Sequence, residues 1–216
     1  ESRKPKRFCL AVRAEICSPC CGKEREETVD CPLECEFLME ARRHEKAAPM
    51  DERTVPNTDV QVTEQFLRSH DDLVALMGAA LLEGALETSA IDADLRECLD
   101  AAIKTHRTLE SGLVYETRPA SAYAGAIQQR LMMRVEEFRA FRQRETGMSS
   151  VRDMDVLGVL VFFQRVALHL DNGRRRGRSF VDFLRARFEG VGFQGGGQVP
   201  GAATSEGSGG GSSLIL

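Results

Sequence analysis

The chain has 216 residues, of which 42% are hydrophobic and 29% charged, and a net charge of −4. This charge argues against a nucleic-acid-binding protein that is basic throughout, and the length predicts one main domain with a small appendage. The longest strongly apolar run, at 156–163, is far shorter than the roughly 20 residues of a membrane-spanning helix. Few β-branched and aromatic residues, with many Ala, Leu, Arg and Glu, favour helix over sheet, so we expect an all-α fold.

The N-terminal segment, residues 1–46, is predicted to be a small cysteine-rich module that ends in a helix. Two close groups of cysteines lie about ten residues apart in it, a spacing typical of a four-thiolate, zinc-knuckle-like metal site. The candidate ligands are Cys17, Cys20, Cys21, Cys31 and Cys35. Because adjacent residues rarely both reach one ion, we expect either Cys20 or Cys21, not both, to be the fourth ligand.

The second group of cysteines is expected at the start of a helix. Pro32 fits the first helical position and Cys31 the cap, which would place Cys31 and Cys35 on one face of the first turn. Backbone N–H groups at a helix start favour the thiolate, the form that binds a metal. His44 is predicted to lie on the opposite face, on a solvated helix surface.

Zn²⁺ is the metal that this pattern favours, and a [4Fe–4S] cluster is the main alternative. Disulfides or free thiols form a third possibility, which the odd number of cysteines and the absence of a secretory signal in residues 1–13 make less favoured. We therefore expect a cytoplasmic protein. Cys9 lies in an alternating stretch that indicates a short strand, and we interpret Cys9 and Cys98 as core residues.

The rest of the chain is predicted to be a linker at 47–62, a helical bundle at 63–190 and a disordered Gly- and Ser-rich tail at 191–216. Long helices are predicted at 63–88, 92–115, 119–146 and 151–171, and Gly147 is expected to follow the end of the third. A short last helix should start with a capping box formed by Ser179 and Asp182. Because the connections are short, we expect consecutive helices to be antiparallel, as in an up-and-down bundle.

A run of arginines precedes the last helix. Guanidinium groups beside a helix N-terminus are suited to binding an anion or a phosphate. The candidate residues are Arg174, Arg175, Arg176, Arg178 and Ser179. The alternative is a solvated loop that pairs with the acidic middle of the bundle.

Enzymatic activity has little support in the sequence. No histidine has a Glu three residues before it, as a dinuclear iron site in a bundle would need, and the common nucleotide, hydrolase and zinc-protease motifs do not occur. His106 and His169 lie on or near apolar helix faces, where a hydrogen-bonded core histidine is the more common role.

Two stretches resemble bacterial proteins without an established activity, which pair a cysteine-rich N-terminus with a helical body. These stretches are residues 20–45, with CCG and CPLECEFLMEARRHE, and residues 172–185, NGRRRGRSFVDFLR. The resemblance implies the same two-part design and carries no function with it.

The sequence therefore predicts an antiparallel helical bundle with an N-terminal metal-binding module. The favoured function is that of a non-enzymatic, zinc-stabilised interaction protein that binds another protein or a nucleic-acid backbone, without a membrane. The alternative is an iron–sulfur or thiol-based redox-responsive protein.

Overall fold

The structure is a computed structural model that describes residues 6–45, 55–110, 116–147 and 151–191. Within these ranges the elements are β1 (Lys6–Cys9), β2 (Ala14–Cys17), α1 (Ser18–Glu24), α2 (Glu36–His44), α3 (Glu64–Ser69), α4 (Asp71–Thr88), α5 (Asp92–Glu110), α6 (Ala122–Thr146), α7 (Asp153–His169) and α8 (Ser179–Phe188). A mostly helical fold is confirmed. In the part of the chain that the structure describes, no helix is long and apolar enough to cross a membrane. The predicted tail after Val191, the first half of the predicted linker (47–54) and the predicted helical segment 111–115 lie outside the described residues.

The N-terminal module begins with an antiparallel hairpin. Lys6 lies opposite Cys17 and Cys9 opposite Ala14, so the short strand predicted around Cys9 is confirmed. The cysteine stretch that follows forms the short helix α1. Cys17 is the N-cap of α1, and its Sγ accepts a hydrogen bond from the backbone N–H of Cys20 at 3.1 Å.

The helix predicted to start after Cys31 begins later, at Glu36. The backbone N–H of Cys35 donates to the carbonyl of Pro32, which closes a separate turn before the helix. Leu33, at the tip of this turn, is buried in the core of the bundle. Burial of Leu33 explains why this turn is separate from α2, and Cys31 and Cys35 consequently do not share the first turn of a helix.

The helix predicted at 63–88 is divided into α3 and α4 at His70, where φ is −127°. The His70 ring lies against the ring of Phe66, with centroids 4.5 Å apart, and its Nε2 is 3.4 Å from Asp155 on α7. The predicted helices that correspond to α5, α6 and α7 agree with the structure to within a few residues where they are described. Gly147 ends α6 with a φ of 70°, as its position predicted.

Two helix pairs of the bundle are antiparallel, as contacts between their ends show. Near opposite ends of α4 and α6, Asp72 approaches Arg142 and Glu83 approaches Arg130. In the same way, α5 and α7 run in opposite directions. Their cross-contacts are Asp100 with Gln164 and Arg96 with Asp171.

The consecutive helices α5 and α6 are parallel, so the expected up-and-down order is wrong at this connection. Ser121, the N-cap of α6, donates its hydroxyl to Asp94 near the start of α5. The chain must therefore return along α5 before α6 begins, and Thr117 marks that return because its N–H donates to the hydroxyl of Thr105.

The core of the bundle is centred on α7, whose apolar run is buried at nearly every position. α3 packs closely on α7 because Gly158 has no side chain at the contact. A Cβ on Gly158 would lie 2.4 Å from Cζ of Phe66. In contrast, a Cβ on Gly125 of α6 would meet nothing within 4 Å.

Gly158→Ala is expected to lower the free energy of unfolding by about 1–3 kcal/mol, because the Phe66 ring must move away from its packed position. The matched Gly125→Ala should raise the same quantity by about 0.5–1 kcal/mol, because alanine favours a helix where there is room for it. Urea unfolding followed by circular dichroism measures both changes. A Gly158→Ala variant as stable as Gly125→Ala would contradict the described α3–α7 contact.

Candidate functional site at the cysteine module

Two of the predicted ligands are bonded to each other. Cys17 and Cys20 form a disulfide at the start of α1, with their Cα atoms 5.1 Å apart. Cys20 is exposed and Cys17 is half-buried, so this disulfide is accessible from solution. The next residue, Cys21, is a half-buried free thiol.

The other two predicted ligands lie in a small apolar cluster. Cys31 and Cys35 are buried with Leu38, and the side chains of Val29 and Phe37 pack against them. Both cysteines are free thiols. The two cysteine groups are therefore in different chemical states, one an exposed disulfide and the other a buried pair of thiols.

Acidic groups, which are negative only when ionised, lie near the Cys31 thiol. Burial raises its pKa most, a hydrogen bond from the backbone N–H of Glu26 opposes this rise, and the charges of Cys35, Glu26 and Cys9 add to it. Cys9, interpreted from the sequence as a core residue, is therefore part of the surroundings of Cys31. The β1–β2 pairing, which sequence periodicity only hinted at, places it there.

The structure does not assemble the predicted metal site. Across the described residues, which include all seven cysteines, no three His, Cys, Asp or Glu side chains form a group that could hold a metal ion. His44 is exposed and lies 3.0 Å from Glu40 on the same helix, as expected of a surface residue. Cys98 is fully buried and its pKa is raised to about 12, chiefly by burial, so its predicted place in the core is confirmed.

A fully buried carboxylate, that of Glu26, joins the module to the bundle. One oxygen accepts from Nη2 of Arg42 at 2.9 Å and from the backbone N–H of Arg178 at 3.0 Å. The other oxygen accepts from Nδ2 of Asn172 at 3.1 Å, and the Glu26 carbonyl accepts from the N–H of Arg176 at 2.7 Å. Sequence reasoning missed Glu26, since its charged surroundings KEREE are typical of a solvated surface.

Residues 172–178 are here called the arginine loop. The guanidinium groups of Arg174 and Arg178 in this loop contact the module. Nη1 of Arg174 donates to the carbonyl of Arg25 at 2.8 Å, and the same guanidinium lies 3.4 Å from the carbonyl of Gly22. Nη2 of Arg178 lies 2.9 Å from a carboxylate oxygen of Asp30.

Arg178 also bonds to main-chain groups on both sides of the interface. Its guanidinium contacts the carbonyl of Cys31 at 3.5 Å and the carbonyl of Ser89, after α4, at 2.9 Å. The remaining two predicted anion-binding arginines, Arg175 and Arg176, are exposed. Arg176, although exposed, pairs with Asp30 of the module at 4.0 Å, so three of the loop's four arginine side chains contact the module.

A carboxylate of the protein itself occupies the N-terminus of α8. Asp92 accepts from the N–H groups of Phe180 and Val181, both at 3.1 Å. Ser179, the fifth predicted anion-binding residue, is 3.1 Å from Asn172, and Asp182 forms an ion pair with Arg42 at 3.0 Å. The predicted Ser179–Asp182 capping box is therefore replaced by a cap that Asp92 supplies from α5.

His106 lies in the core, as predicted, but among the described residues neither ring nitrogen has a hydrogen-bond partner. Burial and the nearby Arg139 lower its pKa to about 4, while Asp153 opposes this shift. His106 is accordingly a neutral core residue. His169 was also expected to be a hydrogen-bonded core histidine, and its Nδ1 is buried without a partner in the described ranges.

No protein-family model, curated protein or solved structure matches the chain. The contacts of the cysteine module and the arginine loop therefore carry the functional argument on their own.

Asp92 should give the protein a measurable pH dependence. Burial, opposed by the N–H groups of Phe180 and Val181, raises its pKa from 3.8 to about 6, so the folded state keeps a proton that the unfolded state loses. The resulting stabilisation is present below about pH 4 and is lost as the pH rises through 6. The difference in unfolding free energy between wild type and Asp92→Asn should fall by roughly 2 kcal/mol from pH 4 to pH 7. Urea unfolding at both pH values measures it, and a constant difference would contradict the assignment.

Proposed function

We propose that the chain is a non-enzymatic interaction protein whose N-terminal cysteine module binds Zn²⁺ when its cysteines are reduced. The partner of this protein would be another protein or a nucleic-acid backbone. The observation that carries the proposal is the contrast between a module with almost no apolar core and a cluster of five cysteines inside it.

The buried apolar residues of the module in the described range 6–45 are Cys31, Leu33, Cys35 and Leu38. One of them, Leu33, belongs to the core of the bundle rather than to the module. Segments of about 40 residues rarely fold on hydrophobic burial alone, and they usually depend on disulfides, metals or a partner. The groups available to stabilise this module are its cysteines, either as a disulfide or as metal ligands.

In the reduced module, Cys17 with Cys20 or Cys21 would supply two thiolates and Cys31 with Cys35 the other two. The N–H of Cys20 already points at Sγ of Cys17, an arrangement that favours the thiolate form. The disulfide must first be reduced, either by two thiols, which end as a disulfide of their own, or by a phosphine, which becomes the phosphine oxide while water supplies the oxygen and the two protons. Zinc would then displace the thiol protons, including that of Cys31 with its raised pKa.

The outer part of the hairpin supports an interaction role. Phe8, Leu10 and Val12 are each about half exposed or more, which is unusual for large apolar side chains so close together. Arg13, in the same hairpin, is also exposed. An apolar surface with a cation beside it suits contact with another macromolecule.

Reduction is expected to switch on zinc binding. Oxygen-free protein treated with a phosphine reductant, loaded with Zn²⁺ and desalted should retain one Zn²⁺ per chain by elemental analysis, because four thiolates complete a tetrahedral site. The disulfide form treated identically should retain none. Chelation should then loosen the module while the bundle keeps its helicity, since zinc can contribute on the order of 10 kcal/mol to such segments.

Two variants make this test specific. Cys31→Ala should abolish retention, whereas Cys98→Ala removes a cysteine outside the module and should retain zinc like the wild type. A reduced wild-type protein that keeps no zinc would overturn the zinc proposal.

A second candidate function, a thiol-based redox-responsive protein, is favoured by the exposed disulfide beside the free thiol of Cys21. The reaction of such a protein would be thiol–disulfide exchange. The Cys17 and Cys20 thiols would reduce a small disulfide, such as oxidised glutathione, to two thiols while forming their own S–S bond. Zinc-free reduced protein whose Cys17–Cys20 pair equilibrates with a glutathione buffer would support it. Iron, sulfide and brown absorbance in oxygen-free preparations would instead indicate the [4Fe–4S] alternative.

A further inference from the structure

The outer face of the β1–β2 hairpin carries both an exposed aromatic ring and one end of the disulfide. Side chains alternate along a strand, so the register that sets Lys6 opposite Cys17 places Phe8 and Glu15 on the same face as this pair. The ion pair between Nζ of Lys6 and Glu15, at 2.8 Å, agrees with this shared face. Phe8 is 58% exposed and lies diagonally across the strands from Cys17, at a spacing of roughly 7–8 Å that one bound segment can cover.

The apolar surface continues into the loop of the hairpin, where Leu10 and Val12 are about half exposed. The opposite face of β1 packs on the module, because the guanidinium of Arg7 lies 4.6 Å from the centroid of the Phe37 ring. The outer face is therefore the side of the hairpin that another molecule can reach.

The hairpin is also basic, since residues 6–17 contain Lys6, Arg7 and Arg13 against the single acidic residue Glu15. Among the described residues its sheet has two strands, so each strand has an outer edge that pairs with no third strand. Free strand edges bind extended polypeptide through backbone hydrogen bonds. A positive apolar surface of this kind is complementary to an extended segment with apolar and acidic side chains, and to an attacking thiolate, which is itself an anion.

The two sulfurs of the disulfide are not equivalent. Cys20 is exposed, whereas Cys17 is half-buried and its Sγ accepts a hydrogen bond from the backbone N–H of Cys20 at 3.1 Å. A nucleophile therefore has better access to Sγ of Cys20. Sγ of Cys17 is the better leaving group, because a hydrogen bond stabilises the negative charge that it acquires.

We propose that the outer face of the hairpin is the docking site for an extended polypeptide that carries two cysteines among apolar and acidic residues, and that Cys20 receives the first of its thiolates. This proposal rests on the redox-responsive function proposed above, because the Cys17–Cys20 pair must exchange with thiols. It names the substrate class of that function as a polypeptide whose apolar side chains contact Phe8 and Leu10, rather than any small thiol.

The reaction has two steps. One thiolate of the polypeptide attacks Sγ of Cys20 and forms a mixed disulfide, while the Cys17–Cys20 bond breaks and its electron pair leaves on Sγ of Cys17. The second thiolate then attacks the polypeptide's own sulfur in the mixed disulfide, and Sγ of Cys20 leaves. The polypeptide ends as a disulfide that has lost two electrons and two protons, and the module holds these as the Cys17 and Cys20 thiols.

Single-turnover exchange of the full chain with a synthetic dithiol peptide, its cysteines flanked by leucine and glutamate, tests the docking site. Phe8→Ser combined with Leu10→Ser should slow formation of the peptide disulfide at least about 5-fold, because apolar contacts are lost, and should leave the rate with glutathione unchanged. Tyr123→Ser combined with Met133→Ser is the matched control. It removes two comparably exposed side chains from α6 and should react like the wild type with both thiols.

Two further peptides test the wild type itself. A version with serine in place of both cysteines should inhibit exchange with the dithiol peptide by competition. A dithiol version with lysine in place of glutamate should react at least about 3-fold more slowly at low ionic strength. Absence of competition, or an unchanged rate in the Phe8 and Leu10 variant, would overturn the docking site, and equal rates for the glutamate and lysine peptides would overturn the acidic substrate class.

The roles of the two sulfurs are tested with a single-cysteine peptide activated as its mixed disulfide with thionitrobenzoate. In reduced Cys17→Ser protein, Cys20 should displace the coloured thiolate, and mass spectrometry should find the peptide on Cys20. Reduced Cys20→Ser protein should react at Cys17 at least about 5-fold more slowly, because Cys17 is half-buried. Faster attachment at Cys17 would overturn the assigned roles.

Failure of the redox function itself would look different, because the wild type would then exchange with neither the peptide nor glutathione. Exchange with both thiols at rates that the Phe8 and Leu10 substitutions do not alter would leave the redox function standing and overturn the docking site alone.

Discussion

The arrangement of the two parts of this protein depends on one buried carboxylate. Glu26 has no exposed surface, and its oxygens are bound by a guanidinium, a side-chain amide and a backbone N–H. Removing one partner of such a buried charge typically costs about 3–5 kcal/mol, which is comparable with much of the stability of a small domain. The hydrogen bonds of the buried Glu26 carboxylate therefore fix the position of the module, because losing them costs free energy. Apolar burial is not the main contribution.

Within the bundle, a second buried acidic side chain likewise binds backbone N–H groups of a distant segment. Asp92 of α5 caps α8 through two backbone N–H groups, and its own N–H donates to the carbonyl of Gly177 in the arginine loop. The end of the arginine loop is thus fixed from α5, while Glu26 binds Asn172 at its start and the N–H groups of Arg176 and Arg178 near its end. This explains how a glycine-containing basic loop can serve as a docking surface: acidic residues distant in the chain impose its conformation.

Local signals in the sequence identified most of the bundle and little of the site. Apolar periodicity predicted α5 to α7, and the left-handed Gly147 was expected to end α6, because these signals lie within the helices themselves. The break at His70 depends on its contacts with Phe66 and with Asp155 on α7. The partners of Glu26 on the arginine loop lie about 150 residues away, and no local pattern encodes such a pairing.

The cysteines show a different limit of sequence reasoning, because spacing identifies sulfurs that come together but not their oxidation state. A CxxC pair at a helix start brings Cys17 and Cys20 close enough either to bond to each other or to share an ion, and these outcomes differ by two electrons. Neither outcome alters the main-chain carbonyls through which Arg174 and Arg178 hold the neighbouring segments. The arginine loop contacts these segments through main-chain carbonyls and not through sulfur, so the acceptors of Arg174 and Arg178 are chemically the same whichever state the cysteines adopt.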